Sequence, residues 1–270
     1  MPIAFKQVTY TYPCSQHPAV QDLTVTIPPG RRCALIGRNG CGKSTLLRLA
    51  DGLFRPDRGQ IYWQGQPLNY RAQALRSLRQ QVGLVFQDPE QQLVATTVEE
   101  DLSYGLCNLG LPDAEVANRV QLALQEFDLR ELADTSINHL SLGQKKRVAI
   151  ADVMVLRPQL LLMDEPTAYL DPAQTRTLFQ SLERIHAAGT TIVIATHDLE
   201  FVYAWADWLM VMDQGRIVLV GTAQEVFANR TVLHALGLGL PLVIDIMAEL
   251  PGSKTDLGRM HEMLRKRFIS

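Results

Sequence analysis

The stretch that decides the fold is Gly-Arg-Asn-Gly-Cys-Gly-Lys-Ser, at Gly37–Ser44. It matches the pattern G-x-x-x-x-G-K-[ST], and it joins a predicted strand at Arg32–Ile36 to a predicted helix at Lys43–Asp51. Glycines let the backbone curl so that successive N–H groups face phosphate oxygens, and the start of the helix adds a partial positive charge. The stretch therefore predicts a loop that binds the phosphates of a nucleotide.

Each residue type in this loop suits one part of that ligand. The Lys43 ammonium group would contact the β- and γ-phosphates, and the Ser44 hydroxyl would ligate Mg²⁺. The other residues expected to contact the nucleotide are Gly37, Asn39, Gly40, Cys41, Gly42 and Thr45. Cys41 has two interpretations: an incidental small residue, or a functional thiol whose pKa falls at a helix N-terminus. On either interpretation, alkylation of Cys41 should block nucleotide binding.

An acidic pair follows a second apolar strand. Leu160–Met163 is continuously apolar and is followed directly by Asp164 and Glu165. In an open α/β sheet, ligands bind in the crevice outside the carboxyl ends of the strands. We expect Asp164 to hold Mg²⁺, directly or through water, and Glu165 to polarise the water that attacks the nucleotide.

The pattern of apolar residues changes twice along the chain. The first part is rich in β signals, helical patterns dominate about 88–157, and strands alternating with helices return after that. The apolar runs at Leu160–Met163, Thr191–Ala195 and Trp208–Met212 are typical of buried parallel strands. We therefore expect an α/β core with a helical insertion.

The composition excludes several classes of protein. The chain has 270 residues, of which 47% are hydrophobic and 20% charged, and this excludes disorder over most of its length. Its formal net charge of −2 shows no basic excess, so no nucleic-acid partner is expected. No apolar run approaches the ~20 residues that cross a bilayer, and the first residues do not read as a signal peptide. The four cysteines have no CxxC spacing and predict reduced thiols in the cytosol.

Four further motifs occur in a fixed order. Gln87 follows a predicted strand at Val82–Phe86, and Leu140–Gln144 reads Leu-Ser-Leu-Gly-Gln about 20 residues before the acidic pair. Ala168–Asp171 reads Ala-Tyr-Leu-Asp, and His197 follows another predicted strand. In order and spacing these motifs resemble the glutamine loop, signature motif, interface loop and switch histidine of the ATP-binding-cassette (ABC) ATPases.

The resemblance implies a fold and a division of the chain. The fold would be the P-loop NTPase type of the ABC nucleotide-binding domain: a RecA-like α/β core, an antiparallel β-subdomain and a helical subdomain at about 88–157. This domain would occupy residues 1–225. Residues 226–270 would form a small C-terminal helical extension that dimerises the subunit.

The resemblance also implies roles for individual residues. Two copies of such a domain pack head to tail, so Ser141, Gly143 and Gln144 of one copy would contact the ATP that the other holds. Gln87 would reach Mg²⁺ and the attacking water, His197 would bond the γ-phosphate, and Asp171 would act across the interface. Tyr12 would stack on adenine, with Tyr10 as the competing residue. Two positions depart from the family pattern: Leu142 in the signature motif and Tyr169 in the interface loop.

The segment after the glutamine loop is similar to that of energy-coupling-factor (ECF) importer ATPases, whose run FQ-x-P-x-x-Q ends here at Gln92. The cobalt and nickel branch, in which one ATPase forms a homodimer, is the most similar. The cofactors would be ATP and Mg²⁺. An integral membrane coupling subunit would contact residues 88–105, a membrane substrate-binding subunit would complete the complex, and the chain would lie at the cytoplasmic face of the cell membrane.

Three alternatives to this assignment stay open. The chain could serve a vitamin importer of the ECF type, or a standard ABC importer for another solute. It could also be a soluble ABC ATPase of DNA repair or translation, although the chain lacks sustained heptads and a second cassette.

The basic helix predicted at Lys254–Phe268 has two interpretations. It could be a solvated face, or it could be a surface that contacts a partner or lipid headgroups.

Overall fold

The computed structural model describes residues 3–13 and 15–249, and the side chains of these residues up to 245. Cys14 and the predicted helix Lys254–Phe268 lie outside the described residues. The strands in the described part are β1 (Ile3–Tyr10), β2 (Val20–Thr26), β3 (Arg32–Ile36), β4 (Arg58–Trp63), β5 (Gln66–Pro67), β6 (Val82–Val85), β7 (Leu160–Asp164), β8 (Thr191–Thr196), β9 (Trp208–Asp213) and β10 (Arg216–Gly221). The α-helices are α1 (Lys43–Ala50), α2 (Ala72–Arg79), α3 (Val98–Asn108), α4 (Asp113–Glu126), α5 (Leu142–Met154), α6 (Pro172–Ala187), α7 (Leu199–Trp205), α8 (Ala223–Ala228), α9 (Arg230–Ala235) and α10 (Leu242–Glu249).

A six-stranded sheet forms the centre of the molecule, in the order β10-β9-β3-β8-β7-β6. The five strands from β9 to β6 are parallel, and β10 pairs with β9 as an antiparallel hairpin. Every residue of β3, β7 and β8 is buried, because helices cover one face of the sheet, while α1 and strands β1 and β2 cover the other. The apolar runs in the sequence correctly predicted these parallel strands.

The second sheet is antiparallel, has four strands in the order β2-β1-β4-β5, and is built from the first part of the chain. Strand β1 pairs on one side with β2 and on the other with β4. Residues that alternate along β1 and β2 pack onto one face of the central sheet, where they share a core with α1. Strand β1 extends two residues beyond the Ile3–Val8 predicted from the sequence.

Helices α3, α4 and α5 occupy the insertion between β6 and β7. Thr97 begins α3 with a capping box in which its side chain accepts from the Glu100 N–H. The sequence places the start of α5 at Gln144, whereas the helix begins at Leu142 because Ser141 is its N-cap. Helix α2 was not predicted from the sequence. Of its eight residues only Leu78 is buried, so the apolar periodicity that predicts a helix is weak there.

The last described helices pack against the same core as the central sheet. Phe227 of α8, Leu233 of α9 and Ile244 of α10 all belong to the apolar cluster that contains the helical insertion. The parallel strands direct their carboxyl ends to one edge of the sheet. There the loop before α1, the segment after β7 and the segment after β8 come together, which positions the candidate site.

Candidate functional site

The glycines of the loop at Gly37–Ser44 allow two close approaches and two left-handed backbone conformations. A Cβ atom on Gly37 would lie 2.3 Å from the Met212 carbonyl oxygen, and one on Gly42 would lie 2.3 Å from that of Ala19. Gly42 also has a φ of 110°, and Gly40 has a φ of 81° in open space. Helix α1 begins at Lys43, directly after this left-handed turn. The loop therefore folds as the sequence predicts, with its backbone curled at a helix N-terminus.

Lys43 directs its ammonium group back across the loop. The Nζ atom donates to the Gly37 carbonyl oxygen at 2.8 Å and lies 3.8 Å from Glu165 Oε1. Both side chains are nearly buried, so their charges interact more strongly than they would in water. The lysine of the loop and the second residue of the acidic pair thus meet across the sheet edge.

Glu165 also binds the segment that follows β8. Its Oε2 atom lies 2.9 Å from His197 Nδ1 and accepts a hydrogen bond from Thr196 Oγ1 at 3.0 Å. Its backbone is left-handed, with a φ of 45°, which is uncommon for a residue with a side chain. A continuous path of polar contacts runs from Lys43 through Glu165 to His197.

Asp164 lies against Ser44 at the base of the loop. Burial raises the pKa of Asp164, and a hydrogen bond from Ser44 opposes that shift. One of its carboxylate oxygens, Oδ1, is buried and accepts no hydrogen bond from the described residues. A buried oxygen of this kind beside a hydroxyl is a pair that a hard cation such as Mg²⁺ ligates. These two residues therefore fit the metal ion that the sequence implies.

Tyr12 and Tyr10 take different positions. The Tyr12 hydroxyl lies 3.0 Å from Thr45 Oγ1, at the edge of the loop. The Tyr10 ring stacks on Phe54, with ring centroids 5.0 Å apart and an angle of 6° between the planes. Tyr12 therefore lies against the loop, whereas one face of Tyr10 is covered by Phe54.

A cavity of about 650 Å³ brings most of the predicted residues together. Its volume is in the range of small-molecule sites. The predicted residues that line it are Tyr12, Asn39, Gly40, Gly42, Lys43, Ser44, Thr45, Gln87, Glu165 and His197. It is lined in addition by Ala19, Ala168 and Tyr169, which the sequence did not assign to nucleotide binding. Nothing in the sequence near Ala19 indicates this position, because it reaches the loop only through the tertiary fold.

The structure favours the first interpretation of Cys41, an incidental small residue. Its side chain is buried in the apolar cluster under the loop, beside the position where a Gly37 Cβ atom would lie. Burial raises the pKa of the Cys41 thiol, so the lowered pKa expected at a helix N-terminus is wrong. Desolvation outweighs the effect of the nearby Lys43 charge. Cys41 therefore acts as a small apolar side chain under the loop.

The signature segment lies apart from this cavity in the same chain. Ser141 and Gln144 form the capping box of α5, and Asp171 and Gln174 form that of α6. A Cβ atom on Gly143 would lie 2.5 Å from the Gln174 side-chain nitrogen, so Gly143 lets the two helix N-termini approach. Ser141, Gly143 and Gln144 line a second cavity of about 220 Å³ between α5 and α6. A single chain thus presents two helix N-termini, those of α1 and α5, at separate places.

The described residues contain no group of three or more His, Cys, Asp or Glu side chains arranged to hold a metal ion. No helix in the same part of the chain is long and apolar enough to cross a membrane.

The comparisons with known proteins agree with this geometry. The ABC transporter family matches residues 20–168. An ABC transporter ATP-binding protein of Nostoc sp., whose name gives no substrate, is 58% identical over 244 residues, covering 90% of this chain and 89% of that protein. The cobalt import ATP-binding protein CbiO of Salmonella paratyphi A is 41% identical over 253 residues, covering 93% of each chain.

A solved structure extends the agreement to three dimensions. The structure of cbiO1 from Clostridium perfringens, part of the ABC transporter complex cbiONQ, has a TM-score of 0.77 and 38% identity, and it covers 91% of this chain and 98% of that one. The fold predicted from the sequence is therefore confirmed as that of ABC nucleotide-binding domains. The chain belongs to the ABC transporter family as one of its ATP-binding subunits, and it is an ATP hydrolase.

Proposed function

We propose that this chain is the ATPase subunit of an ECF-type importer for cobalt or nickel ions. The observation that carries the proposal is the similarity to the cobalt import protein CbiO, which extends over 93% of both chains. Gln92 is the last residue of the FQ-x-P-x-x-Q run in this chain. Gln92 accepts from the Phe86 N–H at 3.3 Å and donates to the Ala149 carbonyl oxygen at 2.7 Å, so it links the end of β6 to α5.

The proposed hydrolysis uses the residues around the larger cavity. Gly37, Asn39, Gly40, Gly42 and Thr45 would hold the phosphates with their backbone and side-chain groups, and Lys43 would neutralise the charge of the β- and γ-phosphates. Mg²⁺, held by Ser44, Asp164 and Gln87, would supply positive charge at the phosphate oxygens. Glu165 would accept a proton from the attacking water, with His197 and Thr196 holding its carboxylate in place.

The proposed assembly is a head-to-tail homodimer. Lys43 and Ser141 line different cavities of one chain, so a second copy would bring its Ser141, Gly143 and Gln144 to the phosphates of the first. Tyr169 is 81% exposed at the mouth of the larger cavity, and Asp171 follows it at the start of α6. Both would then lie in the interface between copies. We propose residues 1–225 as the nucleotide-binding domain, with a helical subdomain at 88–157, and residues 226–270 as the dimerisation extension.

The proposed membrane partner would contact residues 88–105. In this segment Val94 is 67% exposed and Tyr104 is 56% exposed, although both side chains are large and apolar or aromatic. Contiguous exposed apolar patches mark contact surfaces, and we propose that Val94 and Tyr104 belong to such a patch. The chain would thus lie at the cytoplasmic face of the cell membrane, held by a coupling subunit that works with a membrane substrate-binding subunit.

The enzymatic part of the proposal is tested with Glu165→Gln. We expect ATP affinity within about threefold of wild type and turnover lowered by at least about 10²-fold, because the phosphate contacts stay while the general base is lost. Steady-state hydrolysis and equilibrium ATP binding measure the two effects. Glu131→Gln, at an exposed position outside the cavity, is the matched control. Turnover of Glu165→Gln within twofold of wild type would contradict the assigned role.

The transport part of the proposal is tested by affinity purification of tagged Glu165→Gln from its native membranes with ATP. Mass spectrometry should identify an integral membrane coupling subunit and a small substrate-binding subunit. Recovery of a substrate-binding subunit for a vitamin would mean that the importer carries a vitamin instead of cobalt or nickel. Recovery of a periplasmic binding protein would mean that the chain serves a standard ABC importer for another solute. Recovery of soluble proteins or nucleic acid alone would refute the importer assignment.

A further inference from the structure

We propose that Lys146 is a positioning residue for Glu165, and that it ties the signature helix α5 to the loop carrying that carboxylate. This inference rests on the proposed role of Glu165 in hydrolysis. Lys146 lies in α5, two residues after the signature motif ends, and it belongs to none of the motifs described above.

The Lys146 ammonium group meets three backbone carbonyl oxygens of one loop. The Nζ atom donates to the carbonyl oxygens of Ala168 at 2.5 Å, Pro166 at 3.0 Å and Glu165 at 3.4 Å. The side chain is only 6% exposed. An ammonium group has three N–H donors, so its full donor capacity is directed at the segment that follows β7.

This segment has a backbone that needs external support. Glu165 has a φ of 45° and Tyr169 a φ of 64°, and both are left-handed conformations that side chains disfavour. Such residues keep this conformation only where the surrounding structure determines it. The Glu165 N–H donates to the Ala195 carbonyl oxygen of β8 at 2.8 Å, and Lys146 donates to carbonyl groups of the same segment. The direction of the Glu165 carboxylate towards His197 depends on both supports.

The charge of Lys146 also acts on the same carboxylate. Burial lowers the pKa of Lys146 to about 8, and the negative charge of Glu165 opposes that shift. The two groups therefore interact electrostatically as well as through the backbone. Because Lys146 lies on α5, any displacement of the signature helix moves the carbonyl groups that set the position of Glu165. Contact at the signature motif would in this way reach the general base within the same chain.

The test compares Lys146→Met, which keeps a similar length without donors, with Lys145→Met as the matched control. Lys145 is the preceding residue of α5 and pairs instead with Glu90. We expect Lys146→Met to lower kcat by at least tenfold and to leave KM and ATP affinity within about twofold. Lys145→Met should keep both constants near wild type. A kcat of Lys146→Met within twofold of wild type would overturn the inference.

The route through Glu165 is tested in a double variant. If Lys146 acts by placing Glu165, Lys146→Met should lower the residual turnover of Glu165→Gln by less than twofold. A further tenfold loss would mean that Lys146 acts elsewhere.

Lys146→Gln, which keeps amide donors, should recover part of the kcat that Lys146→Met loses. The melting temperature of Lys146→Gln shows whether its fold is intact. If Glu165→Gln itself keeps wild-type turnover, the proposed role of Glu165 fails. If Glu165→Gln is inactive while Lys146→Met is active, only the role of Lys146 fails.

Discussion

Gly42 and Gly40 lie two positions apart in the phosphate loop, yet they tolerate a side chain to different degrees. Alanine at position 42 would place its Cβ atom 2.3 Å from the backbone oxygen of Ala19, at a φ of 110°. Alanine at position 40 would meet no atom within 4 Å, so only its φ of 81° is unfavourable. A left-handed conformation alone costs an alanine about 1–2 kcal/mol.

We therefore expect Gly40→Ala to lower the melting temperature by about 2–8 °C and Gly42→Ala to lower it several times more. The measurement is thermal unfolding without nucleotide, since Gly40 lines the cavity and a methyl group there could affect binding separately. Equal melting temperatures for the two variants would mean that the backbone around Ala19 yields to the new methyl group.

Helices α5 and α6 meet at their N-termini through Gly143 and Gln174. The Gln174 side chain completes the capping box of α6 by accepting from the Asp171 N–H at 3.3 Å. It is also the group nearest to a Cβ atom on Gly143. The glycine of the signature motif thus has a role in packing that is independent of any phosphate contact.

Gly143→Ala should displace the Gln174 amide and lower the stability by about 1 kcal/mol, the typical worth of a capping interaction. Gln174→Ala should have a similar effect, and the double variant should be about as stable as Gln174→Ala alone, because the clash is then removed. Unfolding curves of the four proteins test this. Additive losses in the double variant would show that Gly143 contacts a different group.

Asp152 connects the stability of the whole molecule to pH. Burial and, to a smaller extent, the charge of the nearby Asp101 raise the pKa of Asp152 to about 7, although a hydrogen bond from Gln92 opposes the shift. The folded state therefore binds a proton that the unfolded state has released between about pH 4 and pH 7. This contribution to stability is present at low pH and is lost as the pH rises through 7.

Asp152→Asn removes this titration and keeps an oxygen that accepts from Gln92. We expect the melting temperature of the variant, relative to wild type, to be higher at pH 8 than at pH 5. Other buried carboxyl groups with raised pKa values, such as Asp51, are present in both proteins and cancel in the difference. A difference that is constant with pH, or that falls, would contradict the assignment to Asp152.

Short-range patterns in the sequence determined the phosphate loop, the buried parallel strands and the helical insertion. The loop pattern at Gly37–Ser44 and the apolar run before Asp164 describe groups that are near one another along the chain. Such patterns follow from backbone geometry and from the burial of whole elements, so a single sequence can be interpreted directly. Helix α2 escaped this reasoning because it buries too few residues to produce a periodic pattern.

The directions of individual side chains were decided only by the tertiary structure. Cys41 points into the core, Tyr12 rather than Tyr10 lies against the loop, and Lys146 reaches the carbonyl groups beside Glu165. Each of these contacts joins segments that are far apart in the sequence. They depend on how sheets and helices pack and on which polar groups lose water as they do so, and no local pattern encodes that packing.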